Sequence, residues 1–191
     1  MGLLYNRAAA YLFAALMVLT AVVAGGAKSL NGLRGETLDV FYIGEGDGLS
    51  MQNDLTERIN QASGLAALAK RCGADSSAVD EVLAAAEELG GSDKISGKYA
   101  ANLRLTEAAD NLYNTLTAMN LSETDARSAR NLITNLESRN TTINRTDYNA
   151  RALAYNKLLQ GFPGGLVSML RLAPPLELFA EGDSQRGLFL I

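Results

Sequence analysis

Residues 8–27, AAAYLFAALMVLTAVVAGGA, carry no charged side chain. Wound as an α-helix, twenty residues are about 30 Å long, the thickness of the hydrocarbon core of a bilayer. A segment that is apolar all round has no polar face to turn to water, which argues against a helix of a small soluble bundle and for a transmembrane span. Arg7 and the amino terminus precede the span, so the positive-inside bias places the N-terminus in the cytoplasm and the bulk of the chain outside; Lys28 and Arg34 on the far side weaken that asymmetry. The competing reading is a cleaved signal peptide, because Ala24 with Gly26, or Gly25 with Ala27, supplies the small residues a peptidase needs. A lipoprotein anchor is not expected, since no cysteine lies nearby.

The remaining length holds one domain. No proline occurs before Pro163, which suits long helices. Histidine and tryptophan are absent, and without histidine the commonest general base and transition-metal ligand is missing, which argues against zinc or haem chemistry. The single cysteine, Cys72, has no partner for an internal disulfide and reads as a small buried apolar residue. A net charge of −4 argues against nucleic acid, whose phosphates need a basic footprint. The expectation is no cofactor, no metal and no catalytic residue.

The fold expected is all-α: a cytoplasmic N-terminus and transmembrane helix over residues 1–27, a juxtamembrane linker over 28–48, an antiparallel bundle of about four helices over 49–163, the last one long, and a tail over 164–191. Within the linker, LDVFYIG (38–44) has short strand-like character and GEGDG (44–48) is glycine-rich. Glu45 and Asp47 between the glycines would repel a phosphate, and no Lys-Ser or Lys-Thr follows, so a flexible connector is favoured over a P-loop. The first bundle block carries Leu55, Ile59, Ala62, Ala66 and Ala69 at helical spacing and stops at Gly73. The second opens on a capping-box pattern, Ser77 to Asp80, buries Val79, Leu83, Ala86 and Leu89, and ends at Gly90-Gly91. The third, near 93–119, carries Leu105, Ala108, Leu112, Leu116 and Met119. The fourth opens on Ser122 to Asp125 and continues for nearly forty residues to GFPGG, with Ala129, Ile133, Leu136, Ile143, Tyr148, Ala152, Tyr155, Leu159 and Phe162 on one side and a register skip near Asp147. Asn140 falls in that seam, either as a polar register-setter or as an exposed turn of a curved helix. In the tail, Leu166, Val167, Met169, Leu170 and Leu172 make a run too short to cross a bilayer and too apolar for water; it is expected to dock back on the bundle rather than insert in lipid.

The stretch RTDYNARALAYNKLLQGFPGGLVSML (145–170) resembles the C-terminal signature of LemA-type proteins, in which a Tyr-Asn pair recurs on a long helix and is followed by Phe-Pro and an apolar run. The matching residues are Tyr148, Asn149, Tyr155, Asn156, Phe162, Pro163, Leu166 and Val167, with Glu177, Leu178 and Phe179 similar to the family's acidic-aromatic ending. The chain departs from the family at 56–62, TERINQA, where a basic pair and Leu-Ile-Pro-Asn-Leu are common. The resemblance implies a bacterial single-pass membrane protein of the cell envelope, some relatives being linked to organising membranes or magnetosomes, and carries over no catalytic residue. Apart from the resemblance, Tyr148, Tyr155 and Phe162 are seven residues apart and share one side of a helix, aromatic bodies inward. Asn149 and Asn156 repeat at the same interval and are expected to bond within the protein, a neighbouring helix or a ligand being the acceptors considered.

Charge separates two blocks. From 75 to 93 the charged residues are all acidic (Asp75, Asp80, Glu81, Glu87, Glu88, Asp93), whereas from 126 to 160 Arg127, Arg130, Arg139, Arg145, Arg151 and Lys157 face only Glu137 and Asp147. Internal pairing of these two helices is favoured; otherwise Arg139, Arg145 and Arg151 form a face for an anionic partner such as lipid headgroups. An enzyme is disfavoured, because no histidine activates a serine and the neighbouring carboxylates Glu87-Glu88 and Asp80-Glu81 are adjacent rather than facing. The function expected is a non-enzymatic, membrane-anchored scaffold whose partners are membrane lipid and another protein or a second copy; the alternative is an extracytoplasmic ligand-binding or sensory bundle.

Overall fold

The computed structural model describes residues 7–44, 46 and 48–181; Glu45, Asp47 and the last ten residues of the expected tail lie outside them. The described residues are all-helical, with seven helices and no strand: α1(Arg7–Tyr42), α2(Met51–Arg71), α3(Ser76–Gly91), α4(Ile95–Thr117), α5(Glu123–Arg145), α6(Tyr148–Leu158) and α7(Gly164–Met169). The chain divides into two compact units, residues 1–38 with 150–176, and residues 39–149 with 177–191.

The unit built on 39–149 is a four-helix bundle. Helix α2 is its hub, packing against α5, α3 and α4, while α3 also packs on α4 and α4 on α5. The reason lies in its composition: Ala62, Ala66 and Ala69 are buried with Leu55 and Leu65, and so small a face lets neighbouring backbones close in. Leu105, Ala108, Ala109, Leu112 and Leu116 of α4, with Ala129, Ile133, Leu136 and Ile143 of α5, complete the core. Side-chain caps start three of the helices. Ser50 Oγ accepts from Asn53 N, Asp75 from Ser77 N, and Ser122 Oγ from Asp125 N, each satisfying an amide that has no partner inside its helix. Gly73, at φ 79°, ends α2.

Several expectations need correction. The connector expected over 28–48 is helical to Tyr42, so the strand-like stretch is the last turns of α1. Leu30, Thr37, Val40 and Phe41 are buried, and 37, 40 and 41 stand at helical rather than alternating spacing. Beyond it, Gly44 takes φ 93°, and a side chain there would collide with the Gly48 carbonyl. The cap of α3 is Asp75, not Ser77, and its inner face carries Val82 while Leu83 is exposed. The long fourth helix is two helices: Thr146 is extended, at ψ 138°, and the register skip expected near Asp147 is a break in the helix. Acidic α3 and basic α5 are not packed neighbours; α3 lies against α2 and α4. Its Glu88 is paired with Arg104 of α4 at 2.8 Å.

In the other unit, residues 7–38 of α1 lie with most of α6, all of α7 and the chain to Leu176. Helix α1 is 36 residues long, about 54 Å, and its apolar stretch is long enough to cross a membrane, with none of the most apolar 18-residue window buried. The tail run is divided. Val167, Ala173 and Leu176 are buried, while Met169, Leu170 and Leu172 are exposed, as is Phe162, which was expected inside.

Candidate functional site

The recurring Tyr-Asn pairs have one job in each unit: they hold the backbone of the chain that follows α7. In the unit containing α7, the Tyr155 hydroxyl donates to the Pro174 carbonyl at 3.0 Å. Beside it, Asn156 makes a two-point grip, its amide donating to Leu176 O and its oxygen accepting from Leu176 N, both at 2.8 Å. Burial raises the Tyr155 pKa, with the Arg34 charge opposing, which keeps the phenol a donor. From α1, Asn31 donates to Leu172 O at 2.9 Å.

In the bundle unit the same grip is repeated one heptad earlier. Tyr148 donates to Glu177 O at 2.6 Å, while Asn149 donates to Phe179 O at 2.9 Å and accepts from Phe179 N at 2.8 Å. The two Tyr-Asn pairs are seven residues apart in the sequence, and the backbone groups they hold are three residues apart, from 174 to 177 and from 176 to 179. Each two-point grip is the hydrogen-bond pattern a strand partner would supply, delivered by a carboxamide that has both a donor and an acceptor.

The strap does further work where it meets the bundle. Helix α4 has no side-chain cap of its own at Lys94. Glu177 supplies one, its Oε2 accepting from Ser96 N at 3.3 Å and from Ser96 Oγ at 3.2 Å, so a carboxylate sits where the helix dipole is positive. Phe179 packs edge-on to Tyr99 at 5.3 Å between ring centres and lies 6.1 Å from Phe41, which itself meets Tyr148 at 5.2 Å.

The bundle interior also holds a polar layer. Arg58 of α2 is fully buried; its guanidinium donates to Leu136 O at 2.7 Å and to Thr106 Oγ1 at 2.6 Å. Burial pushes its pKa down to about 10 against the opposing charge of Asp110, which leaves it protonated at neutral pH. One side of the layer is the ion pair of buried Asp54 with Arg139 at 3.0 Å. Another is Asn102 donating to Asn140 Oδ1 at 3.1 Å, so Asn140 is a bonded seam residue. Arg58 Nε and Asn102 Oδ1 have no hydrogen-bond partner.

The three arginines expected to share a face are thus separated. Arg139 is engaged by Asp54, Arg145 is exposed at the end of α5, and Arg151 lines a shallow cavity with Leu33, Glu36 and Tyr155. Phe162 and Pro163 form the corner between α6 and α7, joined by a cis peptide bond. Cys72 is half-buried. Among the described residues no group of three or more Cys, Asp or Glu is placed to hold a metal ion. Sequence reasoning placed the Tyr-Asn pairs but missed their acceptors, as well as Asn31, Ser96 and the capping role of Glu177, because side-chain grips on a distant backbone leave no periodic signal. No family model, no curated protein and no solved structure matches the chain.

Proposed function

We propose that this chain is a membrane-anchored, non-enzymatic scaffold of the LemA type, held by α1 in a bacterial envelope membrane with the bundle on the outer side. The observation that carries the proposal is the exposed apolar surface of α1: Tyr11, Leu12, Phe13, Leu16, Met17 and Val18 have no protein cover. A continuous apolar surface of that size in water is a standing liability, and lipid removes it. Within the bundle unit, side-chain helix caps and a buried polar layer favour one fixed packing of its helices, which suits a scaffold. Its partners are membrane lipid and a protein, either another envelope protein or a second copy.

Alkaline carbonate extraction followed by cross-linking in native membranes tests both halves. The expected result is a full-length protein that stays with the membrane pellet and yields discrete higher-mass adducts. Release into the supernatant contradicts the anchor; a monomer under every cross-linker contradicts the scaffold. For sidedness, Cys72→Ser with Leu103→Cys, a position exposed on α4, should react with a membrane-impermeant maleimide in intact cells, and protection until lysis reverses the orientation.

A further inference from the structure

We propose that the α6–α7 corner is a second membrane-contacting element, inserting Phe162, Met169, Leu170 and Leu172 into the leaflet crossed by the C-terminal end of the α1 span. The inference rests on α1 being a membrane span and names the surface that accompanies it. Helix α7 is fitted to α1 at Gly26, where a side chain would begin 3.3 Å from Pro163 Cγ and 3.5 Å from Val167 Cγ2; glycine permits the approach. One to two turns lower on α1, Leu19, Thr20, Val23 and Ala24 form a groove of about 350 Å³ with Leu170 and Leu172. At 1.5 Å per residue, Ala24 and Leu19 lie about 4.5 and 12 Å inside the end of the uncharged stretch at Ala27. That depth is comparable with the 5–10 Å at which in-plane amphipathic helices sit, at the boundary of headgroups and acyl chains.

The exposure of the corner's apolar side chains agrees with that depth. Met169 is 82% exposed, Phe162 75%, Leu170 57% and Leu172 45%, although the same short element buries Val167 completely. Thr20 is the one polar side chain in the lining, and its hydroxyl proton is already donated to Leu16 O at 2.8 Å, so the lining side chains have no free donor for a ligand. An acyl chain suits such walls and water does not. Arg171 interrupts the run, but it is exposed and its long stem can carry the charge outward to the headgroups.

The test uses the full chain with Cys72→Ser, reconstituted in vesicles of phosphatidylcholine and phosphatidylglycerol with or without phosphatidylcholine bearing a doxyl group on its acyl chain. An environment-sensitive fluorophore is attached in turn through Met169→Cys, Phe162→Cys, Leu19→Cys as the probe within the α1 span, and Leu103→Cys as the probe on the bundle. The proposal expects the probes at 169 and 162 to be blue-shifted and to lose intensity to the doxyl lipid as Leu19→Cys does, while Leu103→Cys is unaffected. Quenching at 19 without quenching at 169 and 162 overturns the proposal and leaves the anchor intact, pointing to a protein cover for the corner. Absence of quenching at 19 overturns the anchor and the corner together.

Discussion

Replacing Asn156 with alanine removes both 2.8 Å hydrogen bonds to Leu176 at a place where Asn156 is 4% exposed and Leu176 is also buried. The cavity is small; the larger effect is on the strap, whose Leu176 amide and carbonyl lose their partner. A buried polar group left unsatisfied costs about 1–3 kcal/mol, so the pair costs about 2–6 kcal/mol, unless the strap lets go locally and returns both groups to water. At roughly 2–4 °C per kcal/mol for a chain of this size, the melting temperature should fall by at least about 4 °C. Asn156→Asp should be equally damaging at neutral pH, because it keeps the acceptor for Leu176 N but turns a second oxygen on Leu176 O. Hydrogen exchange is the direct assay: the Leu176 amide, protected in the native protein, should exchange with the fastest core amides or faster in the variant. Unchanged protection at Leu176 with an unchanged melting curve would refute the idea that the Tyr-Asn pairs hold the strap.

Other outcomes follow from the same geometry. Arg139→Gln, which leaves buried Asp54 without its ion pair, should cost about 1–3 kcal/mol in chemical denaturation, whereas Arg145→Gln at an exposed site should stay within about 0.5 kcal/mol; equal effects would contradict the separation of the two. Gly164→Ala drives a Cβ into the Leu158 carbonyl and should destabilise by about 1–3 kcal/mol, while Gly165→Ala, whose nearest contact is 3.6 Å, should be mild by the same thermal melt. The Ser122 hydroxyl and then Arg71 hold the Asp125 carboxyl below its ordinary value, and a depressed carboxyl contributes stability above its unfolded pKa and loses it as pH falls through the folded one. Asp125→Asn should therefore flatten the acid limb of the stability curve below about pH 4, measured by denaturant midpoints across pH.

Which parts of this were legible in the sequence follows from what kind of signal each leaves. The Ser122 cap, the glycine stop at Gly73 and the alanine-rich stripe of α2 are local or periodic, and each stands where the residues put it. Tyr148 and Tyr155 are buried as a heptad pair, but the third member of that series, Phe162, is exposed because α6 ends at Leu158 and the corner turns it out. The helical extension of α1 through 28–42 was obscured by the strand-like stretch LDVFYIG and the glycines that follow it, although Leu30, Thr37 and Phe41 carry its spacing. Helix adjacency was not legible at all: the charge contrast between α3 and α5 suggested a pair, yet surface charges contribute too little to choose neighbours. The small apolar face of α2, which contributes far more, made it the hub.

The central claim is that residues 8–27 are kept and lie in lipid. Intact mass and N-terminal sequencing of the protein recovered from whole cultures, membranes and soluble fractions together, test it most directly. The expected result is a dominant mature form that retains the whole of residues 8–27, whereas a dominant form beginning at Ala27 or Lys28 would contradict the anchor and leave a secreted bundle.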